Sequence, residues 1–227
     1  MSSSRRQRPL AAPAVVLLAL LLLLPAVVAE AGVVRRASLE GLTNESGCVV
    51  RGRIIASEAR WEGGLIYTRH QLRVTTCLKG TAKGGDVVII STLGGQIGDT
   101  GQVCCGEASF RAAEDVYCFL RKDGVGRWRV VGMNQGRFSV LTPPPPPPPP
   151  VPPATDGDPG TGTNSGTNSA PAAVAPAAEP VVRNSYAGLV VVDAAGNKTD
   201  PDPIDLTLST FEAQVRAAVA AHNGGGK

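Results

Sequence analysis

The chain has 227 residues, 43% of them hydrophobic, with 22 basic and 19 acidic side chains, five cysteines and two histidines. The near balance of charge excludes whole-chain attraction to nucleic acid. With no C-x-x-C motif and only His70 and His222 as imidazoles, the chain carries no recognisable zinc ligand set, and no metal or cofactor is expected.

Residues 1–31 have the layout of a cleaved secretory signal: Arg5, Arg6 and Arg8, then an apolar run from Val15 to Leu24, then Ala29-Glu30-Ala31. Cleavage is expected before Gly32, with cleavage after Ala29 as the alternative. The run is too short for a membrane span, so none is expected once the signal is removed. A twin-arginine signal is disfavoured by Arg8 and Pro9, which stand where that signal has apolar residues. Loss of Arg5, Arg6, Arg8 and Glu30 leaves 19 basic against 18 acidic residues, a net charge of +1. The expected location is secreted or periplasmic, in the cell envelope.

Residues 32–142 carry the pattern of a β-domain. Short alternating or β-branched runs lie between glycine and charged turns at CVVRGRIIASEARW, LIYTRHQLRVTTCLKG, DVVIISTL, DVYCFLRK, RWRVVGM and GRFSV. The even positions Val50, Gly52, Ile54, Ile66, Leu72, Val74 and Leu78 form one apolar face, and the odd face carries Arg51, Arg53, Tyr67, Arg69 and Arg73. A three-residue loop at Glu62-Gly63-Gly64 sets Arg53 opposite Arg73, Arg51 opposite Thr75 and His70 opposite Ala56. The glycines of LGGQIGDTG lack the G-K-[ST] of a phosphate loop and read as a turn or bulge. About six strands with one apolar face predict a mainly β fold, a small OB-like barrel, because closure removes exposed edges.

Residues 143–180, proline-rich and then rich in Gly, Ser and Thr, are expected to be a linker: a polyproline II rod followed by a flexible coil. Residues 181–227 predict one strand and a helix over Thr210–Ala221. Ser209 and Glu212 have capping-box spacing, and Leu208, Phe211, Val215 and Ala218 recur at helical period. A segment of that size cannot bury a core alone, so its apolar stripe should dock on the β-domain or on a partner.

All five cysteines, Cys48, Cys77, Cys104, Cys105 and Cys118, fall in the β-domain. In an exported chain they read as disulfide candidates. Neighbours on an extended strand face opposite ways, so Cys104 and Cys105 should have different partners, giving two disulfides and one thiol with the connectivity open. Parity places Cys48 and Cys118 on the inner face and Cys77 on the outer.

The motifs VVRGRI (49–54), LKG (78–80), LGG (93–95) and GMNQGRF (132–138) resemble a widespread type of secreted bacterial domain without an assigned activity, over roughly residues 35–140. More loosely, the chain is similar to the OB-like barrels of the netrin and tissue-inhibitor-of-metalloproteinases kind. Those inhibitors chelate zinc through a mature amino-terminal cysteine. Here the first cysteine is Cys48, so protease inhibition is not implied.

No nucleophile–base motif occurs, and Glu114 and Asp115, as neighbours on a strand, would face opposite ways as solvated turn charges. The chain is therefore expected to be a non-enzymatic binding or structural module. The alternative is a small hydrolase whose site assembles only in three dimensions; a cavity holding His70 beside a hydroxyl would favour it. Like charges across a ladder are unfavourable, so the row Arg51, Arg53, Arg69 and Arg73 with Tyr67 is the candidate binding face. It suits planar anionic groups such as those of an acidic glycan, another exported protein being the other partner expected.

Overall fold

The computed structural model describes residues 33–144, 178–186, 189–193, 195–200 and 203–224. The expected signal segment, and the linker between residues 145 and 177, lie outside them. The fold is mainly β with a carboxy-terminal helix. The six expected strands are present as β2 (Cys48–Glu62), β3 (Leu65–Lys79), β4 (Val87–Leu93), β7 (Asp115–Lys122), β8 (Trp128–Val130) and β9 (Arg137–Leu141). Around them stand β1 (Val33–Arg35), α1 (Leu39–Glu45), the hairpin β5 (Gly95–Ile97) and β6 (Thr100–Gln102), then β10 (Val181–Asn184), β11 (Val190–Val192), β12 (Lys198–Thr199), β13 (Asp205–Thr207) and α2 (Leu208–Gly224).

The main sheet runs β13-β10-β9-β7-β2-β3-β4-β8, and β8 also pairs with β7. Pairings therefore lead from β7 through β2, β3, β4 and β8 back to β7. The link between β4 and β8 is parallel, at Ile90 and Trp128, and the other links are antiparallel.

The β2–β3 hairpin sets the register of the candidate face. Gly63 and Gly64 both have positive φ, 59° and 80°, and Glu62 pairs with Leu65. The loop is thus a two-residue turn of the kind that requires φ > 0 at both central positions, not the expected three-residue loop. A shorter turn shifts every pair by one residue, and His70 faces Ser57 instead of Ala56. Ile55 then bulges out between Ile54, paired with Leu72, and Ala56, paired with Gln71. That extra residue restores the expected register over one short stretch, so Arg53 does face Arg73. A second shift past Gly52 sets Arg51 opposite Thr76 rather than Thr75. Gly52 is required here, because a Cβ would lie 2.2 Å from the Arg73 carbonyl oxygen.

Two apolar clusters follow from strand parity. Val50, Ile54, Leu72, Val74, Ile90, Val116, Leu120 and Val130 form one, with Cys48 and Cys118 inside it. Val49, Tyr117, Phe119, Phe138, Val182, Phe211 and Val215 form the other. Strand β7 feeds both: Val116, Cys118 and Leu120 turn one way, Tyr117 and Phe119 the other, and all five are fully buried.

The carboxy-terminal segment is built into the sheet. Instead of the one expected strand it has four: β10 and β13 join the main sheet, β10 antiparallel on β9 with Val181 opposite Leu141, and β11 and β12 form a separate sheet with β1. Strand β11 also takes β1 as a parallel neighbour. Helix α2 covers the second cluster with Phe211 and Val215, fully buried, and with Leu208 partly so. The Phe211 ring lies 4.8 Å from Tyr117 and 5.1 Å from Phe138. Burial of each of these two side chains contributes about 2 kcal/mol.

The expected capping box is not formed. Thr207 Oγ1 and Glu179 Oε1 accept from the amides of Thr210 and Ser209 at 3.4 and 2.6 Å. Glu212 accepts from the Tyr117 hydroxyl instead. Helix α1, which no sequence signal announced, is capped by the Ser38 hydroxyl on the Gly41 amide and buries Leu42 against the same cluster.

Candidate functional site

The five residues of the candidate face separate into two groups. Arg53 and Arg73 are exposed, directly opposite each other, and make no ion pair or side-chain hydrogen bond among the described residues. They line a groove of about 460 Å³ with Ile55, Val74, Thr75, Gly84 and Gly85. The nearby Asp86 carboxylate is turned back to the Lys83 amide at 2.8 Å. Beside the groove three aliphatic side chains stand in solvent, Ile55, Val87 and Ile89, at 41, 47 and 48% exposure. Val87 is the cross-strand neighbour of Arg73, and Ile89 that of Gln71.

Arg51, Arg69 and Tyr67 are engaged elsewhere. Arg51 donates to Asp115 from Nη2 at 2.7 Å and from Nε at 3.1 Å, and its guanidinium lies 5.8 Å from the Tyr117 ring. The Asp115 hydrogen bond pushes the Arg51 pKa up, against the opposing effect of burial. Arg69 donates to Glu62 at 2.7 Å, and Arg127 reaches the other Glu62 oxygen at 2.9 Å. Burial opposes ionisation of Glu62, but hydrogen bonds from Arg127 and Arg69 hold its carboxyl below the usual range. Tyr67 is covered by two guanidiniums, Arg127 at 4.3 Å and Arg129 at 5.7 Å. Arg129 is in turn paired with Glu107 at 2.8 Å. Sequence parity found the row of arginines; it missed the acids that neutralise half of it, Asp115 of β7, 64 residues from Arg51, and Glu62 at the hairpin end of β2. Ile55, Gly84 and Gly85 were also missed, and the sequence signals for them are the pair of glycines at 84–85 and an isoleucine on an otherwise polar face.

A second cavity, also of about 460 Å³, lies under the β5–β6 hairpin that LGGQIGDTG forms; His70, Thr68, Thr92, Cys104, Glu107 and Phe110 are among its lining residues. His70 is 5% exposed. Its Nδ1 lies 2.7 Å from the Ser57 hydroxyl, its Nε2 2.9 Å from that of Thr92, and its ring packs 4.7 Å from Phe110. Burial lowers its pKa to about 4, so the ring is neutral at pH 7. A proton taken from Ser57 would create a buried imidazolium with hydroxyls and no carboxylate against its nitrogens. That is unfavourable for general-base catalysis, which works best with a base poised near the operating pH.

The cysteines depart from expectation. None is in a disulfide. Cys48 and Cys118 are in the buried cluster as parity predicted, whereas Cys77, expected on the outer face, packs against the same cluster. The shift between Arg51 and Gly52, where Thr75 has no partner between Val74 and Thr76, puts Cys77 on the same side as Val74 and so turns it inward. Burial, with a neighbouring Cys77 thiol, pushes the Cys48 pKa up to about 11. Cys104 and Cys105 sit in a turn closed by the Glu107 amide on the Cys104 carbonyl, half-buried and exposed respectively. Glu114 and Asp115 do have different partners, but they are ion-paired instead of solvated: Glu114 with Arg137, and Asp115 with Arg51. No group of three or more His, Cys, Asp or Glu side chains suited to a metal occurs among the described residues, and no described helix is long and apolar enough to cross a membrane.

No protein-family model and no curated protein matches the chain.

Proposed function

We propose that this chain is a binding module of the cell envelope or extracellular space, that its ring of strand pairings is a small OB-like barrel, and that the Arg53–Arg73 groove holds the anionic groups of an acidic glycan. The observation that carries this is the unneutralised pair. Among the described residues nine other arginines are ion-paired, yet Arg53 and Arg73 face each other across a ladder with no described acid paired to either. Such a pair costs some tenths of a kcal/mol, and a carboxylate or sulfate bridging the two guanidiniums would reverse the sign. Planar guanidinium groups also favour two-point contact with such anions. The aliphatic side chains beside them supply apolar contact for a sugar face, and barrels of the OB type use this strand face for extended ligands. In this reading Arg51, Arg69 and Tyr67 support the face through their ion pairs and do not touch the ligand.

One observation favours the hydrolase reading, the Ser57–His70–Thr92 chain of hydrogen bonds in a cavity. The lowered pKa of His70 and the lack of a carboxylate orienter weigh against it, and the chain is better explained as satisfaction of a buried imidazole.

The test is chromatography on sulfated dextran. The protein lacking residues 1–31 should be retained in low salt and released near physiological salt. Arg53→Gln/Arg73→Gln should elute at markedly lower salt, and Arg60→Gln, outside the groove, should elute with the parent. If the double variant elutes at the parent's salt concentration, the groove is not the site. Retention of a co-exported protein by the parent in place of the glycan would transfer the same groove to a protein partner.

A further inference from the structure

Strand β4 breaks the pattern of its neighbour. Residues 87–90 read Val-Val-Ile-Ile, with Val88 and Ile90 packed in the first cluster and Val87 and Ile89 left in solvent at 47 and 48% exposure. An antiparallel strand with one solvated face normally alternates apolar and polar residues, and a strand that is apolar on both faces is normally covered on both. Strand β3 obeys the rule where it meets β4, turning Leu72 and Val74 inward and leaving Gln71 and Arg73 exposed. The far side of β4 is sparsely paired, since its link to β8 is confined to Ile90 and Trp128. Exposed apolar side chains on such a strand are an aggregation hazard that proteins ordinarily blunt with charge.

The register places this strip beside the arginine groove. Cross-strand partners share a face, so the rows run Arg53–Arg73–Val87 and Ala56–Gln71–Ile89, with the bulged Ile55 between them on β2. Polar side chains thus occupy β3 and aliphatic ones β4, one strand spacing or about 5 Å away. Gln71 is exposed, and its side chain makes no hydrogen bond among the described residues. Of the nearby acids, Asp86 accepts from the Lys83 amide at 2.8 Å and Glu58 is paired with Arg60 at 2.8 Å. Lys83 is itself exposed and in no ion pair among the described residues. The face therefore presents positive charge alongside a hydrocarbon strip. A second copy docked on the strip by a two-fold contact would set the same patch against itself and bring two Arg53–Arg73 pairs together, which like charge opposes. A sugar ring alone does not account for the strip either, because Val87 flanks the arginine pair on one side instead of lying between the two guanidiniums. A hydrocarbon chain attached to an anionic sugar has the complementary layout.

We propose that the Arg53–Arg73 groove takes acidic glycans that carry an alkyl or acyl chain: the anionic sugar lies on Arg53, Arg73 and Gln71, and the chain covers Val87 and Ile89. This rests on the glycan reading of the groove and adds the lipid-bearing class of ligand to it.

NMR titration of the protein lacking residues 1–31 tests it, with methyl β-D-glucuronide, octyl β-D-glucuronide and octyl β-D-glucoside as probes below their micelle-forming concentrations. The octyl glucuronide should half-saturate at a concentration at least tenfold lower than the methyl glucuronide, because burial of two methylenes is already worth about that factor. The uncharged octyl glucoside should bind more weakly than the octyl glucuronide. Val87→Thr/Ile89→Thr keeps the β-branched form and should erase the octyl advantage, while retention on sulfated dextran, which carries no chain, stays at the parent's salt concentration. A thermal midpoint matching the parent's shows that this variant folds. Arg53→Gln/Arg73→Gln should weaken both glucuronides. Equal affinity for the two glucuronides overturns the proposal and leaves the glycan reading standing, as does an octyl advantage unchanged in the folded threonine variant. Dextran retention unaltered by the arginine substitutions overturns the glycan reading and this proposal with it. Equal binding of octyl glucoside and octyl glucuronide would mark a site for neutral hydrocarbon, and a dimer in sedimentation that the threonine variant abolishes would assign the strip to a second copy; either result overturns it as well.

Discussion

At the scale of single residues, His70 shows how one position can be right in kind and wrong in partner. Its place on the apolar face predicted a packed or rim ring opposite Ala56, and it is buried; the two-residue turn, one shorter than expected, gave it Ser57 as a neighbour instead. Its burial has a consequence for pH. The unfolded chain binds a proton at this ring with a pKa of about 6.5, and the folded chain only at about 4. The unfolded state therefore binds more protons between those values, so stability is fully present above about pH 6.5 and is lost as pH falls toward 4. The loss should be roughly 2–3 kcal/mol. Urea midpoints from pH 7 to pH 5, where the carboxylates stay ionised, should show this fall in the parent and a much flatter profile in His70→Gln. Equal slopes in the two proteins would mean the ring is not held neutral.

At the scale of elements, helix α2 was visible in the spacing of Leu208, Phe211, Val215 and Ala218, because an amphipathic stripe is a local property of the chain. Its docking partner was not visible, being assembled from β7, β9 and β10. Phe211 touches the rings of Tyr117, Phe119 and Phe138, and Phe211→Ala should cost about 3–5 kcal/mol in denaturant unfolding. Ala217→Ser, nearer the helix's exposed side, should change stability by less than about 1 kcal/mol. A cost below about 1 kcal/mol for Phe211→Ala would show that the helix is not held by this cluster. Helix α1 escaped notice for a physical reason as well. Seven residues including Gly41 carry little helix propensity of their own, and its stability comes from Leu42 in the shared cluster.

At the scale of the whole molecule, residues 142–180 join two neighbouring antiparallel strands, since Leu141 and Val181 are cross-strand partners. The described residues from 33 onward form one compact unit. Closing a loop costs entropy that grows as (3/2)RT ln n. Replacing residues 145–177 by Gly-Ser-Gly, which keeps the Glu179 and Pro180 contacts to α2, should raise the unfolding free energy by about 1 kcal/mol. A single protease cut within 145–177 should leave two fragments that co-elute and melt in one transition. Separate melting transitions would show that β10 and α2 are not part of the cooperative unit.

What the sequence by itself determined is whatever has a short period: six strand segments, the apolar side of β2 and of β3 as far as Val74, the inward side of Cys48 and Cys118, and the apolar stripe of α2. Alternation of two and spacing of 3.6 are carried by adjacent residues and survive without knowledge of partners. What only the tertiary structure decided is who meets whom. A two-residue turn and an Ile55 bulge set Arg53 against Arg73, Asp115 of β7 neutralised Arg51, the folded hairpin brought Glu62 onto Arg69, and a sheet that extends through β10 took in the carboxy-terminal segment. Those pairings depend on loop geometry and on the packing of strands far apart in the chain, and no local periodicity encodes either.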